Sequence, residues 1–581
     1  MITVKINNKT IQVEEGTTIL EAAKSLNINI PTLCHFDLNE LGFINKEANC
    51  RICLVEQKNG SLVPACNTLV KDGMEIRTDT HKVINSRRVN IELLLSNHPK
   101  DCLICGKNGE CELQDLAALA RIKKVRYDGE RIEYPVDYSS YSIFRDPNKC
   151  ILCKRCETMC SEVQKVGTLT DIGRGFTTVV GTQYHQPMHT TNCTFCGQCL
   201  AVCPTGALQE ISQIRQVIKA LSDPTKTVIV QTAPAVRVAL GEEFDMKPGS
   251  IVTGKMVAAL RALGFDYVFD TNFAADLTTM EEAKEFADRL NGKGRLPILT
   301  SCCPSWVKFI EHNFGDMLDI PSTCKSPHEM FGSIAKTYFA EKYEIDPKDL
   351  VVVSVMPCVA KKYESKRPEL AQSDEVSDVD YVITTRELAF MIKEYSLDFP
   401  GLEEDDFDDP LGESTGAGVI FGASSGVSVA ALRTAYHMIT GEDLENLEFA
   451  ELSGVKGLKE ATVDIQGREI KVAVASGLGN AADLLNDIRR GIKHYDIIEI
   501  MACPGGCIDG GGQPFHHGDL TILDQREAAI HQADREKATR RSYENESIQK
   551  LYQEFLGEVG GEKAHHLLHT KYVLRPKFIE E

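Results

Sequence analysis

The chain has 581 residues, too many for one hydrophobic core and enough for several domains. Hydrophobic residues make up 43% and charged residues 25%, the balance of a globular protein. Lys+Arg 64 against Asp+Glu 84 gives a net charge of −20, which argues against a nucleic-acid partner.

The opening MITVKINNKTIQVEEG alternates like a strand hairpin and lacks the apolar stretch of a signal peptide. No apolar run reaches the ~18 residues of a membrane span, so the cytoplasm is the expected compartment. The 21 cysteines then read as metal ligands rather than disulfides. Fifteen precede residue 204; the other six are Cys302, Cys303, Cys324, Cys358, Cys503 and Cys507.

After the hairpin and the helical EEGTTILEAAKSLNI come Cys34, Cys50, Cys53 and Cys66, a lone cysteine, a C-x2-C pair and a fourth. This is the pattern of a plant-type 2Fe-2S site on a β-grasp ferredoxin domain, with a structural zinc site as the weaker alternative. HPKDCLICGKNGEC supplies His98, Cys102, Cys105 and Cys111, a set that suits zinc as well as a 4Fe-4S cluster with one histidine ligand. Its redox company on both sides favours the cluster. CILCKRCETMC and CTFCGQCLAVCP both read C-x2-C-x2-C-x3-C, the run of a bacterial two-cluster ferredoxin in which each fourth cysteine serves the other cluster. Cys150, Cys153, Cys156 and Cys203 are assigned to one 4Fe-4S cluster, and Cys193, Cys196, Cys199 and Cys160 to the other. Four clusters in sequence read as an electron wire.

From about residue 209, strand-like runs (KTVIVQTAP, VVVSVMPC, KVAVASG, DIIEIMAC) alternate with helical ones, an α/β pattern with a buried sheet. Ligands in such folds sit beyond the carboxyl ends of strands, where SCCP, MPC and MACPGGC fall. Cys303, Cys358, Cys503 and Cys507 can supply four thiolates from three loops, suited to a cubane or to zinc. The glycines of CPGGCIDGGGQP are expected to make room for a bulky ligand. Cys302 and Cys303 are adjacent, and neighbours in an extended segment point to opposite faces, so the two are poorly placed to share a metal.

TSCCPSW (300–306), MPCVAKKYE (356–364) and EIMACPGGCIDGGGQP (499–514) closely resemble the three signatures of the iron-only (FeFe) hydrogenases, and the N-terminal cluster series resembles their accessory domain. The resemblance implies an H-cluster, a 4Fe-4S cubane joined to a two-iron unit with CO, CN and azadithiolate. Cys303, Cys358, Cys503 and Cys507 then resemble the cubane ligands, with Cys507 bridging. Lys361 resembles the cation facing a cyanide, Met356 and Met501 the thioethers around the two-iron unit, and Ala233, Pro234 and Phe421 its walls. Cys302 resembles the thiol that exchanges a proton with the azadithiolate amine, and the implied relay runs Arg289, Glu285, Ser322, Glu282, Cys302. Glu282 and Glu285 stand at i,i+3, with Arg289 one turn on; without the resemblance MEEAKE reads as a solvated helix face. Ala235, Ser305 and His328 depart from the family pattern, where serine, glycine and glutamine are frequent.

The expected architecture is multidomain α+β and α/β. It comprises a β-grasp 2Fe-2S ferredoxin domain (1–80), a small 4Fe-4S domain with one histidine and three cysteine ligands (81–125), a two-4Fe-4S ferredoxin domain (126–208), a catalytic α/β domain (209–525) and a helical tail (526–581). The cofactors are one 2Fe-2S cluster, three accessory 4Fe-4S clusters and the H-cluster. The implied reaction is reversible interconversion of H2 with protons and electrons. The electron partner is ferredoxin or a flavoprotein NAD(P)-linked subunit, with a small iron–sulfur subunit in a hetero-oligomer. That second choice follows from the N-terminus, whose ANCRICLVE and long Cys34–Cys50 loop resemble the complex I iron–sulfur subunit. The alternative is a hydrogenase-like sensory or iron–sulfur assembly protein without turnover. G-x-G-x-x-A in ASGLGNAADLL reads as an ordinary strand–helix turn, Trp306 as packing and Cys324 as a buried free thiol. The tail's HH pair and nearby His569 can be read as a metal site, but a surface helix docked on the body is the stronger reading.

Overall fold

The computed structural model describes the whole chain except residues 39–40, 42, 46–47, 372, 374–375, 445–456 and 580–581. Part of the Cys34–Cys50 loop thus lies outside the described residues. Two compact units result: Met1–Glu162 with Gly167–His189 and Cys199–Gln209, and Val163–Val166 with Thr190–Gln198 and Glu210–Glu581.

In the first unit, β1 (Ile2–Ile6) and β2 (Lys9–Val13) form an antiparallel hairpin. Its turn residues Asn7 and Asn8 have φ of 46° and 68°, the left-handed geometry that matches strand twist and that asparagine tolerates. The five-stranded sheet runs β2-β1-β5-β3-β4, with β3 (Leu54–Gln57), β4 (Leu62–Pro64) and β5 (Met74–Arg77). β5 lies parallel to β1, and the other pairs are antiparallel. Helix α1 (Ile19–Ser25) begins with a capping box: Glu21 N–H donates to Thr18 Oγ1 and Thr18 N–H to Glu21 Oε2. Its Ile19, Ala22 and Ala23 pack with Val4, Ile6 and Ile76 of the sheet. Helices α2 (His81–Ser96) and α3 (Glu112–Leu119) flank the second cysteine group.

The second unit holds two four-stranded sheets. One is wholly parallel, in the order β7-β6-β9-β10: β6 (Thr227–Thr232), β7 (Tyr267–Asp270), β9 (Leu350–Met356) and β10 (Tyr381–Thr384). All seven residues of β9 are buried, as a parallel strand covered on both faces requires. The other has the order β8-β13-β12-β11: β8 (Ile298–Leu299), β11 (Leu458–Ile465), β12 (Arg468–Ser476) and β13 (Ile497–Met501), with β11 antiparallel and the rest parallel. Helix α4 (Thr271–Leu290) follows β7, capped by the Asp270 carboxylate, and α5 (Pro304–Asn313) follows β8. β12 leads through Gly477, at φ +87°, directly into a helix, and a Cβ at Gly479 would meet Val163 O at 2.3 Å. The G-x-G-x-x-A run is thus a close-packed strand–helix turn within the sheet.

The tail does more than lie on the surface. After α6 (Thr521–Glu536), the segments α7 (Glu546–Leu551) and α8 (Glu562–Leu568) place Ile548, Leu551, Leu556, Leu567 and Leu568 in the same core as β6 and β9. The buried Asp276 of α4 fastens it, accepting from Ser542 Oγ at 2.8 Å and Asn545 Nδ2 at 3.0 Å. Charge and helical periodicity alone read this segment as peripheral; its apolar residues are core.

Candidate active site

Four strands end at one chemical neighbourhood. β8 runs into Thr300–Cys303, β9 into Cys358, β13 into Cys503 and Cys507, and β6 into Ala233 and Pro234. Cys303, Cys358, Cys503 and Cys507 act on one another electrostatically, and burial pushes every one of these thiols up, Cys358 to about 12. Lys361 is the cation that opposes this rise at Cys303, Cys358 and Cys507. Four thiols, Cys503 buried and the other three half-buried, with so little countercharge ionise together only if a metal shares their charge, so the donor set fits a metal cluster. Backbone N–H groups of Ala502, Trp306 and Ser305 point to Cys303 and favour its thiolate.

Met356 and Met501 are both 2% exposed, and Ala233, Pro234 and Phe421 are buried. Trp306 is fully buried and donates to Thr300 O at 3.1 Å, a packing role beside the first signature. Lys361 Nζ donates to Cys302 O at 3.0 Å and to Glu364 Oε2 at 2.6 Å. Two of its three donors are thereby used. Glu364 was not singled out in the sequence. Burial alone would raise its carboxyl, but Lys361 and His328 hold it down at about 2. His328 Nδ1 lies 2.9 Å from Glu364 and 3.0 Å from Glu329, so the histidine that replaces a frequent glutamine joins a buried ionic cluster. Ala235 keeps its carbonyl bonded to Gln513 Nε2 at 2.9 Å, and Ser305 Oγ has no hydrogen-bond partner.

The glycine-rich run is crowded by protein rather than opened for a ligand. A Cβ at Gly510 would meet Pro357 O at 2.2 Å, and one at Gly511 would meet Gly197 Cα at 2.8 Å. Gln198 Nε2 donates to Asp509 O at 2.9 Å. These glycines let the Cys507 loop press against both the Cys358 loop and the CTFCG segment, a need for close backbone approach that glycine alone meets.

On the other side of Cys302 lies α4. Burial raises the Cys302 thiol well above its ordinary value, with Cys507, Cys303 and Glu282 adding to the rise. Glu282 is 3% exposed and its Oε2 has no partner; burial, then Glu285, pushes its carboxyl up to about 8. Ser322 Oγ donates to Glu285 Oε2 at 3.2 Å, and Arg289 Nη2 to Glu285 Oε1 at 2.5 Å. Arg289 is itself 7% exposed and also donates to the carbonyls of Arg295, Ile320 and Pro321. The sequence reading missed Thr323, whose N–H and hydroxyl both donate to Glu285 Oε2, the tail residue Tyr572, and the place of His569 beside Thr323. Nothing in the local pattern announces them, because they reach the relay from far along the chain.

In the first unit, Cys34 N–H points to Cys50 Sγ at 3.4 Å, and the thiols of Cys53 and Cys66 share a hydrogen bond. His98, Cys102, Cys105 and Cys111 line one cavity, where the buried His98 Nδ1 lacks a partner. Cys150, Cys153, Cys156 and Cys203 line another. Of the remaining set, Cys160 and Cys199 belong to the first unit, and Cys193 and Cys196 to the second. Lys308 Nζ fastens the latter segment by donating to Cys193 O at 2.7 Å, and it sits 3.9 Å from the Phe195 ring centroid.

Comparison with known proteins agrees along the chain. Residues 226–511 match the iron only hydrogenase large subunit, C-terminal domain, and 520–575 the iron hydrogenase small subunit. Residues 1–81 match a 2Fe-2S iron-sulfur cluster binding domain, 87–126 the NADH-ubiquinone oxidoreductase-G iron-sulfur binding region, and 149–207 a 4Fe-4S dicluster domain. The NADP-reducing hydrogenase subunit HndD of Solidesulfovibrio fructosivorans is 55% identical over 99% of this chain and all of its own length. Iron hydrogenase 1 of Clostridium pasteurianum is 41% identical over 98% of this chain and all of its own. An apo [FeFe]-hydrogenase structure from Chlamydomonas reinhardtii is 42% identical, with a TM-score of 0.57 over 63% of this chain and all of that one. Among the described residues no helix is long and apolar enough to cross a membrane. The signatures, the thiol set and these likenesses together establish that the chain belongs to the iron-only (FeFe) hydrogenases, with N-terminal 2Fe-2S and 4Fe-4S ferredoxin-type domains.

Proposed function

We propose that this hydrogenase is the catalytic subunit of a cytoplasmic, NAD(P)-linked hetero-oligomer, in which Cys302, Glu282, Ser322 and Glu285 move protons and the N-terminal clusters move electrons. One arrangement carries the reading: Cys302 stands between a group of four thiols, one buried and three half-buried, and a buried, protonated Glu282. Cys303, Cys358, Cys503 and Cys507 would hold the H-cluster, with Lys361, Met356, Met501, Ala233, Pro234 and Phe421 around it. When bound, that group supplies the metal–hydrogen and redox chemistry of 2H+ + 2e− ⇌ H2.

The protein's own part is positional and electrostatic. Its apolar walls exclude water, and Lys361 offers its remaining N–H as a fixed positive charge. Glu282, protonated at neutral pH, is a donor poised near the working pH for exchange with the Cys302 thiol. Ser322 and Glu285 continue the path outward, and Arg289 holds Glu285 rather than opening it to solvent.

The domain partition and cluster inventory proposed from sequence stand with this reading: a β-grasp 2Fe-2S domain, a His98-ligated 4Fe-4S cluster, and two crossed 4Fe-4S clusters. The partnerless His98 nitrogen and the Cys150–Cys203 cavity support it. The packing of Gln198 and Gly197 on the Cys507 loop supports an electron path from the Cys193–Cys199 run. The name of the HndD relative and the small-subunit match support pyridine-nucleotide partners, with ferredoxin as the other candidate. Anaerobic purification after co-expression with the two-iron maturation machinery tests the core reading. CO and CN infrared bands and H2 production from a reduced low-potential dye are expected. Fully loaded clusters with neither result would overturn it. Co-purification with a flavoprotein tests the assembly, and a fully active lone chain would count against it.

A further inference from the structure

Beyond the thiol-lined site, sulfur, nitrogen and oxygen donors converge on the outer end of the relay. Glu285, Cys324 and His569 each offer one ligand atom, and those atoms lie within 4.8 Å of one another. They come from α4, from the segment between α5 and β9, and from the tail. Cys324 and His569 are held opposite each other by an antiparallel backbone bridge.

The histidine is braced as ligating imidazoles are. His569 Nε2 lies 3.0 Å from Glu281 Oε2, and Glu281, 1% exposed, also accepts from Gly560 N–H at 3.0 Å and from the Tyr552 hydroxyl. A fixed carboxylate behind one ring nitrogen keeps the proton there and leaves the lone pair on the other. That other nitrogen, Nδ1, faces Thr323 Oγ1 at 2.7 Å, while the same hydroxyl lies 3.1 Å from Glu285 Oε2. That hydroxyl proton goes to Glu285 Oε2, which also accepts from Thr323 N–H and Ser322 Oγ, so it does not satisfy a lone pair on Nδ1.

The charge balance also calls for a cation. Burial lifts the fully buried Cys324 thiol well above its ordinary range, and Glu285, Glu282 and Glu281 lift it further. Arg289 is the cation bonded to Glu285. The Glu285 side chain keeps 16% of its surface and gives access from outside.

We propose that Glu285, Cys324 and His569 form a binding site for a soft or borderline divalent cation of the zinc type, and that filling it stops proton transfer. Thiolate, imidazole and carboxylate in one set suit zinc, and three protein ligands leave the fourth position to water. Binding releases the Cys324 proton and engages the Glu285 oxygen that now accepts from Ser322. The blocking effect rests on the relay reading; the binding does not.

The test is a Zn2+ titration of the anaerobic holoenzyme, with H2 production from a reduced dye, iron content, and zinc-edge anomalous diffraction read together. Zinc density at the three residues, unchanged iron and inhibition of at least tenfold reversed by a chelator are expected. Cys324→Ala and His569→Gln, each compared with its own zinc-free rate, should raise the half-inhibitory zinc concentration at least tenfold. Zinc absent from the three residues, or inhibition accompanied by iron loss without zinc there, would overturn the site. Zinc seated there with an unchanged rate would overturn the block, and with it the path through Glu285.

Discussion

Cys302 and Cys303 are joined by one peptide bond, yet different groups govern them. Cys303 caps α5, and three backbone N–H groups favour its ionised sulfur. At Cys302 burial weighs most, and the other influences are all side chains: Cys507 and Cys303 on one side, Lys361, and Glu282 on α4. Backbone donors suit a permanent thiolate that binds metal, because they cannot titrate. A neutral thiol next to a neutral carboxyl suits a proton carrier, because each has a proton to donate and a lone pair to accept one. The contrast shows how one strand end can serve a metal and a relay without either disturbing the other.

The sharpest way to break that contrast is to exchange sulfur for oxygen at each position. Cys302→Ser should leave the iron content and the CO and CN bands in place while H2 production drops about 10²- to 10⁴-fold, the usual scale of a lost general acid. Cys303→Ser should instead reduce iron content and distort or abolish the bands. Equal damage to the bands from both substitutions would dissolve the division of labour.

A second comparison sets the two carboxylates on either side of Cys302 against each other. Glu364 is buried and ionised, pinned between Lys361 and His328, whereas Glu282 is buried and neutral. Removing charge should therefore hurt one and help the other. Glu364→Gln leaves the Lys361 ammonium without its carboxylate, and breaking a buried pair in this way costs about 3–5 kcal/mol. A lowered thermal midpoint of cluster bleaching together with shifted CN bands is the expected result. An unchanged midpoint would mean that Lys361 finds another anion.

How much of this was legible in the chain depends on whether the signal is local. The cluster runs and the three signatures are local, because ligand spacing along a loop is itself the chemistry, and Cys150, Cys153, Cys156 and Cys203, grouped from spacing alone, line one cavity. MEEAKE shows where composition misleads. Charged residues at helical spacing read as a wet face, but Glu281 and Glu282 are 1% and 3% exposed, because the tail and the loop after β8 cover them. IDGGGQP misleads in the opposite direction. Its glycines meet neighbouring backbone, which no one-dimensional pattern reports. Likewise Thr323 and His569 carry no motif and matter through partners distant in sequence, as with the 288 positions separating His569 from Glu281, whereas Glu364 closes the second signature and shows its role only through Lys361 and His328.

Glu282→Gln probes the neutral carboxyl by its pH signature, the most specific of these effects. In the unfolded chain Glu282 has the model value of 4.5, and in the fold burial lifts it to about 8. Between those values the folded protein holds a proton that the unfolded chain has lost, so stability falls as pH rises, by about 1.4 kcal/mol per pH unit. Below 4.5 both states are protonated, and above 8 both are ionised, so the slope vanishes at each end. Glutamine copies the neutral carboxyl and removes the titration. The variant should therefore match the parent near the lower of these values and pull ahead steadily to about pH 8, after which the gap stays constant. Chemical unfolding of parent and variant across that range measures the gap directly. A gap that stayed flat would mean Glu282 is ionised throughout and held by a cation or water chain, and Cys302 would then face a base instead of an acid.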